Sequence, residues 1–153
     1  MGLIYTIPRT SFALVAGNDV ITVSGNALRS WRLLDIYLGG LGTASAANEI
    51  GICRTATVGI TPGGALTPTP KNVRAPAFGG VVSTTWATQP VIGVVMDRLM
   101  VNANGGNIYR DFKREGLQLE WEAGGAAVLN SCMSIRCVSG SSSIVFGYTI
   151  EEI

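Results

Sequence analysis

Residues 144–150 read Ile144-Val145-Phe146-Gly147-Tyr148-Thr149-Ile150, with a large apolar side chain at every second position. Successive side chains of a strand point to opposite faces, so Ile144, Phe146, Tyr148 and Ile150 form the core face of a half-buried strand. The stretch before it repeats the rhythm, with Met133, Ile135 and Cys137 on one side. Further upstream, Leu117, Leu119 and Trp121 share a face, while Gln118, Glu120 and Glu122 share the polar one. Together with Ile108–Phe112 this segment predicts a hairpin across Lys113–Gly116.

The N-terminal half reads the same way. Thr10–Ala16 puts Phe12 and Leu14 on one side, and the turn Gly17-Asn18-Asp19 leads into Val20–Val23. Ser30–Leu38 is the longest strand candidate. Strict alternation gives it one face of Leu34, Ile36 and Leu38 and another of Trp31, Leu33, Asp35 and Tyr37. Asn48–Thr55 brings Ile50 and Ile52 together, and Gly39-Gly40-Leu41-Gly42 reads as a strand-end turn. Val91–Met96 and Leu99–Asn102 precede the turn Asn104-Gly105-Gly106-Asn107. Twenty glycines, six prolines and the absence of any long period of 3.6 residues exclude a helical protein. Eight or nine short strands with long crossovers predict an all-β fold: an antiparallel, jelly-roll-like β-sandwich forming one domain over residues 1–153. Residues 1–9 are expected to form an N-terminal arm.

Between the halves lies a segment of a different kind. Residues 56–90 include Thr61-Pro62-Gly63-Gly64 and Thr67-Pro68-Thr69-Pro70. Proline removes ladder donors and glycine supplies turns, so an extended excursion with little regular structure is expected. On that view residues 61–74 are removable without unfolding the sandwich.

Hydrophobic residues make up 47% of the chain and charged residues 14%, against about 25% charged in an ordinary domain. Such a surface points to burial against other chains. The net charge is +1 with no one-sided basic patch, which argues against nucleic acid as a partner. No apolar run reaches the roughly 18 residues a membrane helix needs. The opening Met1-Gly2-Leu3-Ile4-Tyr5-Thr6-Ile7-Pro8 fits neither a signal peptide nor a myristoylation site, since Ile7 stands where Ser or Thr is wanted. Cys53, Cys132 and Cys137 lack metal-type spacing and are expected to be reduced, semi-buried thiols.

The chain has no histidine, which removes the commonest general base and metal ligand. No phosphate-binding, dinucleotide or zinc-protease motif is present. Glu120 and Glu122 flank Trp121 on one strand face, within the spacing of a glycosidase pair, yet a half-buried edge strand shows the same pattern. Glu151-Glu152 reads as a solvated end, and Asp35 and Asp97 as partners of arginines such as Arg32 or Arg98. The asparagine-rich turn at 102–107 carries no carboxylate for calcium. Neither an enzyme, a metal nor a cofactor is expected. An interface is expected instead, formed by Trp31 and Tyr37 on the outer sheet face, by Ile4, Tyr5 and Ile7 of the arm, and by Pro62, Leu66, Pro68, Pro70 and Trp86 of the excursion.

Several stretches taken in order resemble a group of small virion proteins of tailed phages. They are Leu34-Asp35-Ile36-Tyr37-Leu38-Gly39-Gly40, Ala46-Ala47-Asn48-Glu49-Ile50-Gly51-Ile52-Cys53-Arg54, the Pro/Thr excursion ending near Trp86 and Pro90, Asn102-Ala103-Asn104-Gly105-Gly106, and Phe146-Gly147-Tyr148-Thr149-Ile150-Glu151-Glu152. The resemblance to capsid decoration (cement) proteins implies an oligomer, expected to be a trimer. It would be made in the host cytoplasm, sit on the capsid exterior and lock major capsid subunits together. The alternative from another class is a trimeric receptor- or carbohydrate-binding head of a phage fibre, although the chain has no coiled-coil shaft.

Overall fold

The computed structural model describes residues 2–57, 60–124 and 132–153, with the side chains of all of these except 8, 9, 57 and 60–62. Thirteen strands follow one another among these residues. They are β1 (Leu3–Ala13), β2 (Asp19–Ser24), β3 (Trp31–Leu41), β4 (Ala47–Thr57), β5 (Ile60–Gly63), β6 (Thr69–Pro70), β7 (Val81–Ser83), β8 (Thr85–Thr88), β9 (Val91–Asn102), β10 (Asn104–Asp111), β11 (Leu119–Trp121), β12 (Cys132–Ser139) and β13 (Ser143–Glu152).

Every pairing is antiparallel, and the strands make an all-β sandwich. One sheet has the order β10-β3-β13-β1-β6, with β11 also on β3; the other runs β7-β2-β12-β4-β9. The chain changes sheet from β1 to β2, β2 to β3 and β3 to β4, returns to the sheet of β4 at β9 after the small strands β5–β8, and then crosses again. Between the sheets lie the side chains that the alternation assigned to the core: Ile50 and Ile52, Met133, Ile135 and Cys137, and Ile144, Phe146, Tyr148 and Ile150.

Two β-bulges overturn two expectations. Ile150 pairs with Leu33 and Thr149 with Asp35, so Leu34 is an extra residue in β3. An inserted residue shifts the two-residue period by one. Trp31 and Leu33 therefore face inward before the bulge, and Ile36 and Leu38 do so after it. Trp31, expected on the outer face, is fully buried. In β1 the register shifts between Ile7 and Thr10, around Pro8, where proline is tolerated because a bulge needs no ladder donor. The expected N-terminal arm is thus a paired strand between β13 and β6, with Tyr5 and Ile7 in the core.

The predicted hairpin at 108–121 is also replaced. Both β10 and β11 pair with β3, one after the other, so they form a single interrupted edge strand. The Gly39-Gly40 segment is still strand rather than turn. A Cβ on Gly40 would run into the carbonyl oxygens of Asn102 and Ala103, where the chain passes from one sheet to the other. There Ala103 donates its N–H to Ala46 and Gly42 donates to Ala103, each at 2.7 Å.

The excursion between β4 and β9 is long, as its prolines predict, but it carries strands of its own. Tyr5 pairs with Pro70 and Thr6 with Thr69, and the Lys71 N–H donates to the Ile4 carbonyl at 2.9 Å. Leu66 bridges to Val82, β7 pairs with β2, and β5 with β8. The segment is a strap fastened to an edge of each sheet, so residues 61–74 do not lie outside the folded unit.

Candidate interaction surface

The sequence-predicted interface residues separate into three groups. Tyr5, Ile7, Trp31 and Pro68 are buried within the chain and face no partner. Their apolar character serves the core: Trp31 stacks on Trp121, and Tyr5 meets Phe78 edge-on at 5.3 Å. Leu66 is partly buried against the core, and Ile4 and Pro70 are half-buried beside the β1–β6 ladder. The Pro62 side chain lies outside the described ones, although its backbone belongs to β5. Tyr37 and Trp86 are likewise half-buried, each with part of its side chain at the surface. The Tyr37 hydroxyl donates to Asn107 Oδ1 at 2.9 Å, and its cross-strand neighbour Tyr109 is 61% exposed.

Alternation missed the apolar surface of β9. Val91-Ile92-Gly93-Val94-Val95-Met96 reads as a buried run, yet β9 is an edge strand. Three register irregularities against β4 twist it, so that Val91, Val94 and Val95 face outward. Beyond them Met100 is 64% exposed. Tyr109 of β10 and Leu41 at the end of β3 are exposed as well, on the outer face of the other sheet. Of the twelve large hydrophobic side chains exposed among the described residues, four belong to β9 and two to β10 and the end of β3. The signal in the sequence was an uninterrupted apolar run ending in Asp97-Arg98; position in the sheet decides whether such a run is buried.

Arg98 and Arg110 are paired here. Asp35 and Asp111 face each other across β3 and β10, and desolvation together with their charges pushes the Tyr109 phenol up. Arg98 Nη1 lies 2.6 Å from Glu49 Oε1, and Arg110 Nη1 lies 3.4 Å from Asp97 Oδ2. Arg32 pairs with Glu151 at 2.7 Å rather than with Asp35. Asp97 does have an arginine partner, in Arg110 rather than in its neighbour Arg98, whose side chain points to the opposite strand face. The C-terminal Glu151 and Glu152 are buried, not solvated. Glu152 closes the end of the core, where its Oε2 lies 3.4 Å from the Tyr5 hydroxyl and 3.8 Å from Arg29. Burial, with the charge of Glu152 adding to it, pushes the Tyr5 phenol up.

A second feature lies on another part of the surface. The turn at Asn18 and the β8 segment enclose an open cleft of about 260 Å³, lined by Val15, Asn18, Val20, Thr85, Trp86 and Gln89 among others. At its floor Asp19 accepts from Ser134 and from Arg136 Nε at 2.6 Å, and its own N–H donates to Gln89 Oε1 at 3.0 Å. Burial pushes the Asp19 carboxyl up, and the bonds from Ser134 and Arg136 pull it back. Arg136 Nη2 also donates to the Pro90 carbonyl at 2.6 Å, which fixes the end of the strap.

Glu120 sits 3.9 Å from Arg32 Nη1, and Glu122 lies exposed just past β11. No group of three or more potential metal-ligating side chains occurs among the described residues. The three cysteines are free and buried, and burial pushes the Cys53 thiol up to about 11. Comparison with family models, with curated proteins and with solved structures finds no match to this chain.

Proposed function

We propose that this protein is an oligomeric decoration protein of a tailed-phage capsid, and that its edge strand β9 is where copies meet. The observation that carries this reading is the edge strand β9, which exposes Val91, Val94, Val95 and Met100 beside the Arg98–Glu49 pair. A long, exposed edge strand of this composition is an invitation to association unless another chain covers it. A second copy supplies the same apolar edge strand, so a symmetric arrangement covers the four β9 side chains of both copies.

The strand order supports a jelly roll. The sets β1-β13-β3-β10 and β2-β12-β4-β9, with sheet changes at each step but one, are what two successive Greek keys produce. A rigid sandwich repeated by symmetry stabilises a shell through many weak contacts, each adding to the avidity of the next. The test uses the purified chain with phage shells stripped of their decoration protein. Light scattering should report a stable oligomer, and the oligomer should co-sediment with shells in saturable amounts and raise their melting temperature. A soluble monomer that leaves the shells unchanged defeats the proposal.

A further inference from the structure

We infer that the cleft beside Trp86 is a binding site for one neutral sugar ring. A sugar offers two kinds of surface: a face of C–H groups that packs on an aromatic ring, and a rim of hydroxyls that needs both donors and acceptors. The cleft holds both kinds of partner. Trp86, half-buried in β8, forms one wall, and Val15 and Val20 add apolar surface. Around them stand the Thr85 hydroxyl and the side-chain amide of Asn18, neither engaged with another described residue. Gln89 uses its Oε1 on the Asp19 N–H, which fixes the amide and turns its two N–H donors to other use.

The charge of the ligand follows from the lining. Asp19 is the one ionisable residue among the lining side chains, and it is committed to Ser134 and Arg136. Among the described residues neither a free cation for a uronic acid or phosphate nor a free carboxylate for an amino sugar faces the cleft, so a neutral hexose fits best. Size agrees. At about 260 Å³ the cleft falls just below the roughly 300–1,000 Å³ of sites for drug-sized ligands. Its lining includes none of the four exposed β9 side chains, so oligomerisation by that strand leaves it open.

The chain reports on this site directly. Trp31 and Trp121 are buried and stacked on each other, which leaves Trp86 as the tryptophan that solvent and ligand reach. Glucose, galactose, mannose and N-acetylglucosamine should be titrated into the full-length protein, with glucuronic acid as the charged control. At least one neutral sugar should shift the tryptophan emission saturably, with a Kd of about 1 mM, as suits a single small ring. Saturation-transfer NMR on the same sugars then follows Trp86→Ala and Asn18→Ala, each of which should weaken binding at least tenfold while circular dichroism stays unchanged. No response to any neutral sugar overturns the inference. So does binding that survives both substitutions, or glucuronic acid binding as well as its neutral counterpart. If either variant fails to fold, Trp86→Leu, which keeps an apolar side chain but removes the ring, decides by the same loss of signal.

Discussion

Trp31 and Trp121 are direct partners across β3 and β11, and their rings stack with centroids 4.5 Å apart and planes 12° from parallel. Both are fully buried, so this pair closes one end of the core and pins the short β11 to a long central strand. The contact depends on the Leu34 bulge, which turns Trp31 inward. Trp121→Ala should therefore cost about 3–5 kcal/mol, the range for deleting a large buried aromatic. Trp121→Phe should cost far less, since it keeps a ring and removes an indole N–H that has no partner. Urea unfolding of the two variants separates these values. Equal losses would mean that ring stacking contributes little.

The β9 edge gives the second prediction. Val94 is 58% exposed, so Val94→Lys should change fold stability by no more than about 0.5 kcal/mol. In an oligomer the same lysine is placed in an apolar contact, where an unpaired charge is expensive. Light scattering should show smaller particles at unchanged circular dichroism. An unaltered oligomer would move the contact to another face.

Asp19 and Arg136 yield a third. Arg136→Met leaves a buried carboxylate with its hydroxyl partner but no counter-charge, and should cost about 3–5 kcal/mol. Adding Asp19→Asn removes the charge that was left unpaired and should restore much of the loss. Thermal melts of the two single variants and the double variant give the coupling, which disappears if solvent reaches the pair.

The fourth concerns the thiols. At pH 8 all three cysteines should resist a thiol-specific disulfide reagent in the native protein and react fully in guanidinium, because each is buried and burial raises each pKa. The Cys53 thiol holds its proton up to about pH 11 when folded and loses it near pH 9 when unfolded. Folding then binds the extra proton between those values, so this group's contribution to stability is intact below about pH 9 and lost as pH rises toward 11. A Cys53→Ala variant should show a flatter fall in melting temperature across that window.

The fifth concerns the strap. Replacing residues 61–74 with a short Gly/Ser linker removes β6, the buried Pro68 and the Leu66 bridge to Val82. The edge of β1 is then opened, and the melting temperature should fall by several degrees or more. An unchanged melt would mean that the strap rests on the sandwich without supporting it.

The strand faces from Met133 to Ile150 were legible in the sequence because β12 and β13 keep their two-residue period through their core positions. Where a residue is inserted the period fails, and no local signal marks the insertion. Leu34 is apolar like its neighbours, so the phase change that buries Trp31 is visible only against β13. Pro8 did mark its bulge, but a proline near a chain start reads equally as an arm. Val91–Met96 was legible as a strand and not as an exposed one, since edge position follows from sheet order. The cleft was harder still: Asn18 and Trp86 are far apart in sequence and meet because β2 and the strap share one side of the fold.

The pairing of β1 with β13 has a consequence for how the protein is made. In its sheet β13 lies between β3 and β1, the strands that leave the ribosome early. Until β13 emerges, Tyr5, Ile7, Ile36 and Leu38 have no middle strand to pack beside. Partners so distant along the chain meet slowly, and the apolar faces that await them are exposed throughout translation. A ribosome stalled before Ser143 should carry a nascent chain that is protease-sensitive and bound by chaperones, whereas emergence of β13 should make it resistant in one step.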